Sequence, residues 1–215
     1  MPSRLTRSLL ILLPAIACVA ALLLYPFLPD RIASHWNAAG EVNGYMPKIW
    51  GVFLVPGLMI LFLGLRALIL RANTIKTATP LFQDSLDTFW LLLSSFFLYV
   101  FILTTAWNLG PRFNTATALI PGLSALFYGI GALLPKTERN GFVGIRTPWT
   151  LSSDLVWKKT HRLGGVLFQG SAGIALLGMV FTSGLGFVLT VILPVLLASI
   201  VTTGYSFLEY RKNTP

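Results

Sequence analysis

The chain has 215 residues, 55% hydrophobic and 11% charged, with a formal net charge of +9. Soluble domains carry about 25% charged residues, so a mean hydropathy of +0.76 excludes a disordered chain and describes a polytopic membrane protein. The charge does not make a nucleic-acid-binding domain, which spreads basic residues over one wet face; here they crowd into gaps between apolar runs.

The first apolar run covers 8–28, behind Arg4 and Arg7. Ala15, Ala17 and Cys18 hint at a cleavage or lipidation site. Position 15 is Ala where a lipobox prefers Leu, and the run continues past Cys18, so a retained helix is expected. Cys18 is the sole cysteine, which excludes an internal disulfide framework and a cysteine-based zinc site. A polar segment, 29–48, precedes a second run at 49–70. After a polar connection, 71–84, the third run covers 86–107. A tight turn at 108–114 leads to the fourth, 115–134. The longest polar stretch, 135–162, precedes the last two runs at 163–182 and 185–208. A span needs about 20 apolar residues. The expected fold is therefore all-α, with six transmembrane helices. Its parts are a two-helix unit (1–70), a central helix pair (71–134) and a final unit (135–215), within one membrane domain.

Basic residues set the orientation. With the N-terminus in the cytoplasm, thirteen of the sixteen Lys and Arg lie inside, and Arg31, Lys48 and Arg112 lie outside. Both termini are then cytoplasmic, 29–48 faces out and 135–162 faces in. Pro14, Pro56, Pro121 and Pro194 lie within spans and are expected to kink them. Ala125/Gly129 and Ser171/Ala175 are small pairs that let helices approach. No ionisable residue lies near a helix midpoint. Arg66 is expected to snorkel to the interface, and Asp84 and Asp87 to favour a helix N-terminus. This argues against a proton-coupled pump.

The outer loop groups His35, Trp36 and Asn37 between Asp30 and Glu41. Asn43-Gly44 is a turn signal, and Gly40 offers a second bend. The loop reads foremost as a folded cap with Trp36 and Tyr45 at headgroup level. A peptide- or ligand-contact surface comes second. A metal site built on one imidazole is poor.

In the inner loop, Asn140-Gly141 is a turn, and Thr147 before Pro148 is pushed to extended backbone. Ser152 or Ser153 can cap a helix with Asp154 in its first turn. Asp154, Trp157 and His161 share one helical face. Lys158, Lys159 and Arg162 suit the anionic headgroups of membrane lipids. Gly164-Gly165 permits close packing or a bend. Asp154 and His161 suggest an acid–base pair, but no nucleophile motif accompanies them. Six basic and two acidic residues give the loop +4, which topology explains without nucleic acid.

The stretch RNGFVGIRTPWTLSSDLVWKKTHRLGG, Arg139 to Gly165, resembles the signature of the SdpI family of bacterial immunity proteins. The segment LPDRIASHWNAAGEVNGYMPK resembles that family's N-terminal domain of unknown function through His35, Asn37, Gly40 and Lys48. Asn43 stands where the family often has Asp. The resemblance implies a non-enzymatic, multi-pass plasma-membrane protein without cofactor or metal. Its partners would be a secreted membrane-active peptide toxin outside and a small winged-helix repressor inside, with no direct nucleic-acid contact. The outer contacts are expected at His35, Trp36, Asn37, Gly40 and Lys48. The inner motif is expected at Asn140, Gly144, Arg146, Thr147, Pro148, Trp149, Asp154, Trp157, His161, Gly164 and Gly165. The competing reading is a small transporter or channel for a neutral solute, with Asn108, Tyr128, Gln169 and Thr182 as its polar residues. A hydrolase built on Ser171 has no supporting motif.

Overall fold

The computed structural model describes residues 4–71, 79–181 and 185–213. The apolar runs become long helices: α1 (Arg4–Leu24), α2 (Lys48–Arg71), α3 (Pro80–Leu109) and α4 (Thr115–Leu133). A short α5 (Pro148–Ser152) precedes α6 (Asp154–Gly178) and α7 (Leu193–Asn213). Among the described residues, five helical segments are long and apolar enough to cross a bilayer. They are Arg4–Phe27, Lys48–Arg71, Pro80–Leu109, Thr115–Lys136 and Val188–Asn213. The protein is an all-α polytopic membrane protein.

α6 carries the run expected at 163–182 but begins in the polar loop. It packs against α4 and α7. Small buried residues, Gly164, Gly165, Ser171, Ala172, Ala175 and Gly178, make that packing close. A Cβ at Gly165 would stand 2.8 Å from the Gly131 carbonyl oxygen of α4. The Gly164-Gly165 pair thus serves close packing within an unbroken helix, not a bend. α1, α2 and α3 pack on one another around Ala17, Ala21, Val52, Met59 and Phe101. α3 also contacts α4, joining the two groups of helices.

The helices run unbroken through Pro14, Pro56 and Pro121. Pro194 is the second residue of α7, behind a π-helical turn, Val188–Ile192. The wider turn accommodates a residue that cannot donate to the preceding carbonyls and crowds them.

The outer segment forms an antiparallel hairpin, β1 (Arg31–Trp36) and β2 (Val42–Pro47). The turn signal at Asn43-Gly44 is misplaced. Gly44 lies inside β2, opposite His35 at a register irregularity. A Cβ on Gly44 would meet the His35 Cβ at 2.9 Å. The chain reverses over 37–41 instead. Asn37 Oδ1 accepts from the Ala39 and Glu41 amides, both at 3.0 Å, and Gly40 takes φ +82°. The side-chain cap of Asn37 supplies what a two-residue turn would otherwise provide.

Candidate functional site

At the hairpin end, Asn108 at the close of α3 holds β1 by both backbone groups of Ala33. Its Oδ1 accepts from the Ala33 N–H at 2.8 Å, and its Nδ2 donates to the Ala33 carbonyl at 3.1 Å. Asn114, the cap of α4, donates to the Ala39 carbonyl at 2.8 Å and accepts from the Thr117 N–H. Gly40 lies against Asn114, where any Cβ would collide with its amide. Asn108 and Asn114, on either side of the α3–α4 turn, therefore clamp the hairpin to the helices.

The outer motif residues have distinct places. His35 shares a 2.5 Å hydrogen bond with Asn43. Trp36 meets Trp107 edge-on at 5.6 Å, and Arg112 lies over the far ring at 3.7 Å. Lys48 donates its backbone N–H to the Asp30 carbonyl and stands over the Tyr25 ring. Tyr45 is exposed. His35, Trp36 and Asn37 line one cavity of about 450 Å³ with α3, α4 and the chain before α7. Gly40 and Lys48 are not part of it. Among the described residues, no three His, Cys, Asp or Glu side chains gather as metal ligands.

At the opposite end, the inner motif closes on itself. Asn140 Oδ1 accepts from the Phe142 and Val143 amides at 2.8 and 2.7 Å. Arg146 donates to the Gly141 carbonyl at 2.6 Å. Thr147 is extended, with φ −107° and ψ 161°, and caps α5 in a reciprocal box with Thr150. Its hydroxyl also lies 3.0 Å from that of Ser206 on α7. Pro148 opens α5, and Trp149 packs against Phe207 with ring centroids 5.0 Å apart. Ser153, not Ser152, caps α6. Lys159 binds Glu209 of α7 at 2.6 Å.

Trp157 and His161 are the centre of this element. Their rings stack at 3.9 Å, and both residues are 1% exposed. The Trp157 indole donates to the Thr137 carbonyl at 3.0 Å. His161 Nδ1 donates to the Trp157 carbonyl at 2.8 Å, and Nε2 accepts from the Ile145 N–H at 3.0 Å. Both nitrogens serve a neutral ring, and burial pushes its pKa down to about 4. Gly144 passes over the pair with φ +126°, and a Cβ there would sit 2.4 Å from His161 Nε2. No other residue type fits both the backbone angle and the space.

The acid–base pair suggested by spacing does not form. Asp154 is exposed and bound to Arg139 at 2.5 Å, while His161 is enclosed by backbone partners. Ser171 donates to the Leu167 carbonyl within its own helix. The polar residues of the transporter reading also have other places. Asn108 is spent on Ala33, Tyr128 is exposed, and Gln169 lies against Gly131. Thr182 lies outside the described residues.

A second cavity, about 1200 Å³, opens at this end beside Lys136, Arg139, Trp157, Lys158 and Arg162. Lys136, Lys158 and Arg162 have no ion-pair partner among the described residues.

One charged cluster escapes the sequence pattern. Asp87 does not sit at a helix N-terminus, because α3 starts at Pro80. It is 1% exposed and takes two contacts from Arg66, Nε at 2.7 Å and an Nη at 2.5 Å. Arg7 approaches to 3.8 Å. Arg66 is thus tied inward rather than snorkelling. An arginine one turn inside a span, with a carboxylate available on the next helix, is the signal that points to such a pair.

Comparisons with known proteins agree with this division into two ends. A model of a domain of unknown function, DUF1648, matches residues 11–60, which hold most of α1, the hairpin and the start of α2. The SdpI/YfhL protein family matches residues 136–206, which hold the inner motif, α6 and most of α7. Immunity protein SdpI of Bacillus subtilis (strain 168) is 26% identical over 203 residues, 94% of each chain. No solved structure matches significantly. With the resembled motif folded as one element and matches at both ends, this multi-pass plasma-membrane protein is similar to the SdpI/YfhL family over residues 136–206 and to Immunity protein SdpI along most of its length.

Proposed function

We propose that this protein is an immunity protein and signal receiver that protects a cell against a secreted, membrane-active peptide. The observation carrying this reading is the similarity to Immunity protein SdpI along 94% of each chain. The distribution of basic residues supports an orientation with both termini and the 135–162 loop in the cytoplasm and the hairpin outside. The peptide is met at the hairpin end, around Trp36 and the neighbouring helix ends. The inner motif is a scaffold, and the cationic cavity beside it receives a soluble partner of the small winged-helix repressor class. Peptide binding selects one packing of the helices that line the outer cavity, and α6 and α7 carry the change to the inner motif.

The protein acts by binding rather than by catalysis. Asp154, His161 and Ser171 each spend their polar atoms on structure. Expression in a sensitive strain should raise survival under purified membrane-active peptides, tested as a panel. Unchanged survival against every peptide, with the protein present in the membrane, overturns the reading.

A further inference from the structure

The hairpin end satisfies nearly all of its polar groups. Asn108 serves Ala33, Asn114 serves Ala39 and Thr117, and His35 serves Asn43. Against that background, two sheltered side-chain atoms at this end lack any partner among the described residues, Trp36 Nε1 and Thr115 Oγ1. Thr115 is 2% exposed. Native buried polar atoms are nearly always paired, and an orphan costs about 1–3 kcal/mol. The residues that carry these orphans, Trp36 and Thr115, both line the 450 Å³ cavity. That volume lies within the range of ligand pockets.

The walls define what fits. Val100, Leu103, Leu119 and Ile192 make much of the surface apolar, and among the described residues no Lys, Arg, Asp or Glu lines it. The indole N–H is a donor only, and the threonine hydroxyl can donate. Thr115 is also the first residue of α4, where the helix field favours negative partial charge. The occupant therefore presents a neutral acceptor oxygen on an apolar body. Depth selects its source. From Thr104 to Val100, and from Thr115 to Leu119, the walls descend one helical turn, about 6 Å. This accommodates one large side chain and is too shallow for an extended lipid acyl chain.

We propose that this cavity binds one large apolar side chain of a peptide, whose own backbone carbonyl accepts hydrogen bonds from Thr115 and Trp36. This deepens the immunity reading and rests on it for the choice of a peptide.

The test uses the full chain in nanodiscs, labelled with 5-fluorotryptophan, with the Trp36 resonance assigned by Trp36→Phe. N-acetyl-phenylalaninamide should shift the Trp36 signal saturably and leave those of Trp149 and Trp157 unmoved. Ethylbenzene, which lacks the carbonyl, should bind about three- to tenfold more weakly, the worth of a hydrogen bond. Thr115→Val should weaken the amide by a similar factor and leave ethylbenzene unchanged. Leu103→Trp, which fills the cavity, should abolish the shift for both. No saturable shift at Trp36 overturns the proposal, as does equal binding of the two probes. A larger shift from dihexanoylphosphatidylglycerol than from the amide at equal concentration overturns the peptide assignment. Survival and spectroscopy fail separately: a missing shift in a protective protein rejects the pocket alone, and a saturable shift without protection rejects immunity alone.

Discussion

Replacing Asp87 by Asn removes the negative charge from a site that is 1% exposed. Arg66, whose side chain is 16% exposed, then keeps its charge with no counter-ion at 2.5 Å. Breaking a buried pair from one side costs about 3–5 kcal/mol, because the remaining charge stays desolvated. Arg66 lies near the end of α2 and can turn partly outward, which places the cost near 3 kcal/mol, the low end of that range. For a chain of this size that lowers Tm by roughly 6–12 °C. The measurement is thermal unfolding in one detergent for Asp87→Asn, Arg66→Leu and the double variant Arg66→Leu/Asp87→Leu. Each single change should destabilise. The double variant, with both charges replaced by apolar side chains, should recover much of the loss. An Asp87→Asn protein as stable as the parent, or a double variant showing the full sum of the single losses, refutes the account.

Two further predictions concern the ends. His161 has a folded pKa of about 4 against an ordinary value near 6.5, so between those values the unfolded chain binds a proton that the folded chain refuses. Stability is full above pH 6.5 and falls by roughly 3 kcal/mol as pH drops toward 4. The stability difference between pH 7.5 and 4.5 should therefore be smaller in His161→Gln than in the parent, and equal differences rule out His161 as the source. At the other end, Asn108→Leu strands the Ala33 N–H and carbonyl, a loss of about 2–3 kcal/mol that frees the hairpin. Limited proteolysis should then cut within 31–47 faster than in the parent, and unchanged cutting shows that Asn108 does not hold it.

Local chemistry made some features legible. The spans follow from runs of apolar residues, and Thr147 before Pro148 and Ser153 before Asp154 announce their caps within four residues. The hairpin was not legible. Ile32 and Ala33 are buried consecutively, so β1 lacks the alternation that marks a strand. Asn43-Gly44 imitated a turn because Gly44 answers to the bulk of His35 across the ladder. The expected contact set was only partly legible, for the cavity gathers Trp36 and Thr115 from 79 positions apart. The Arg66–Asp87 and Asn108–Ala33 pairs join residues 21 and 75 apart, on elements whose proximity only folding reveals.

The bond between Asn108 and Ala33 also bears on self-association. A two-stranded sheet leaves two outer rims, each able to recruit another extended chain. The α3 side chain occupies the β1 rim at Ala33, taking the N–H and carbonyl that a third strand would need. Growth of the sheet is blocked there by a group belonging to the helices themselves. Any strand added at this face must join along β2, which sets the direction from which a second hairpin or an extended peptide can approach.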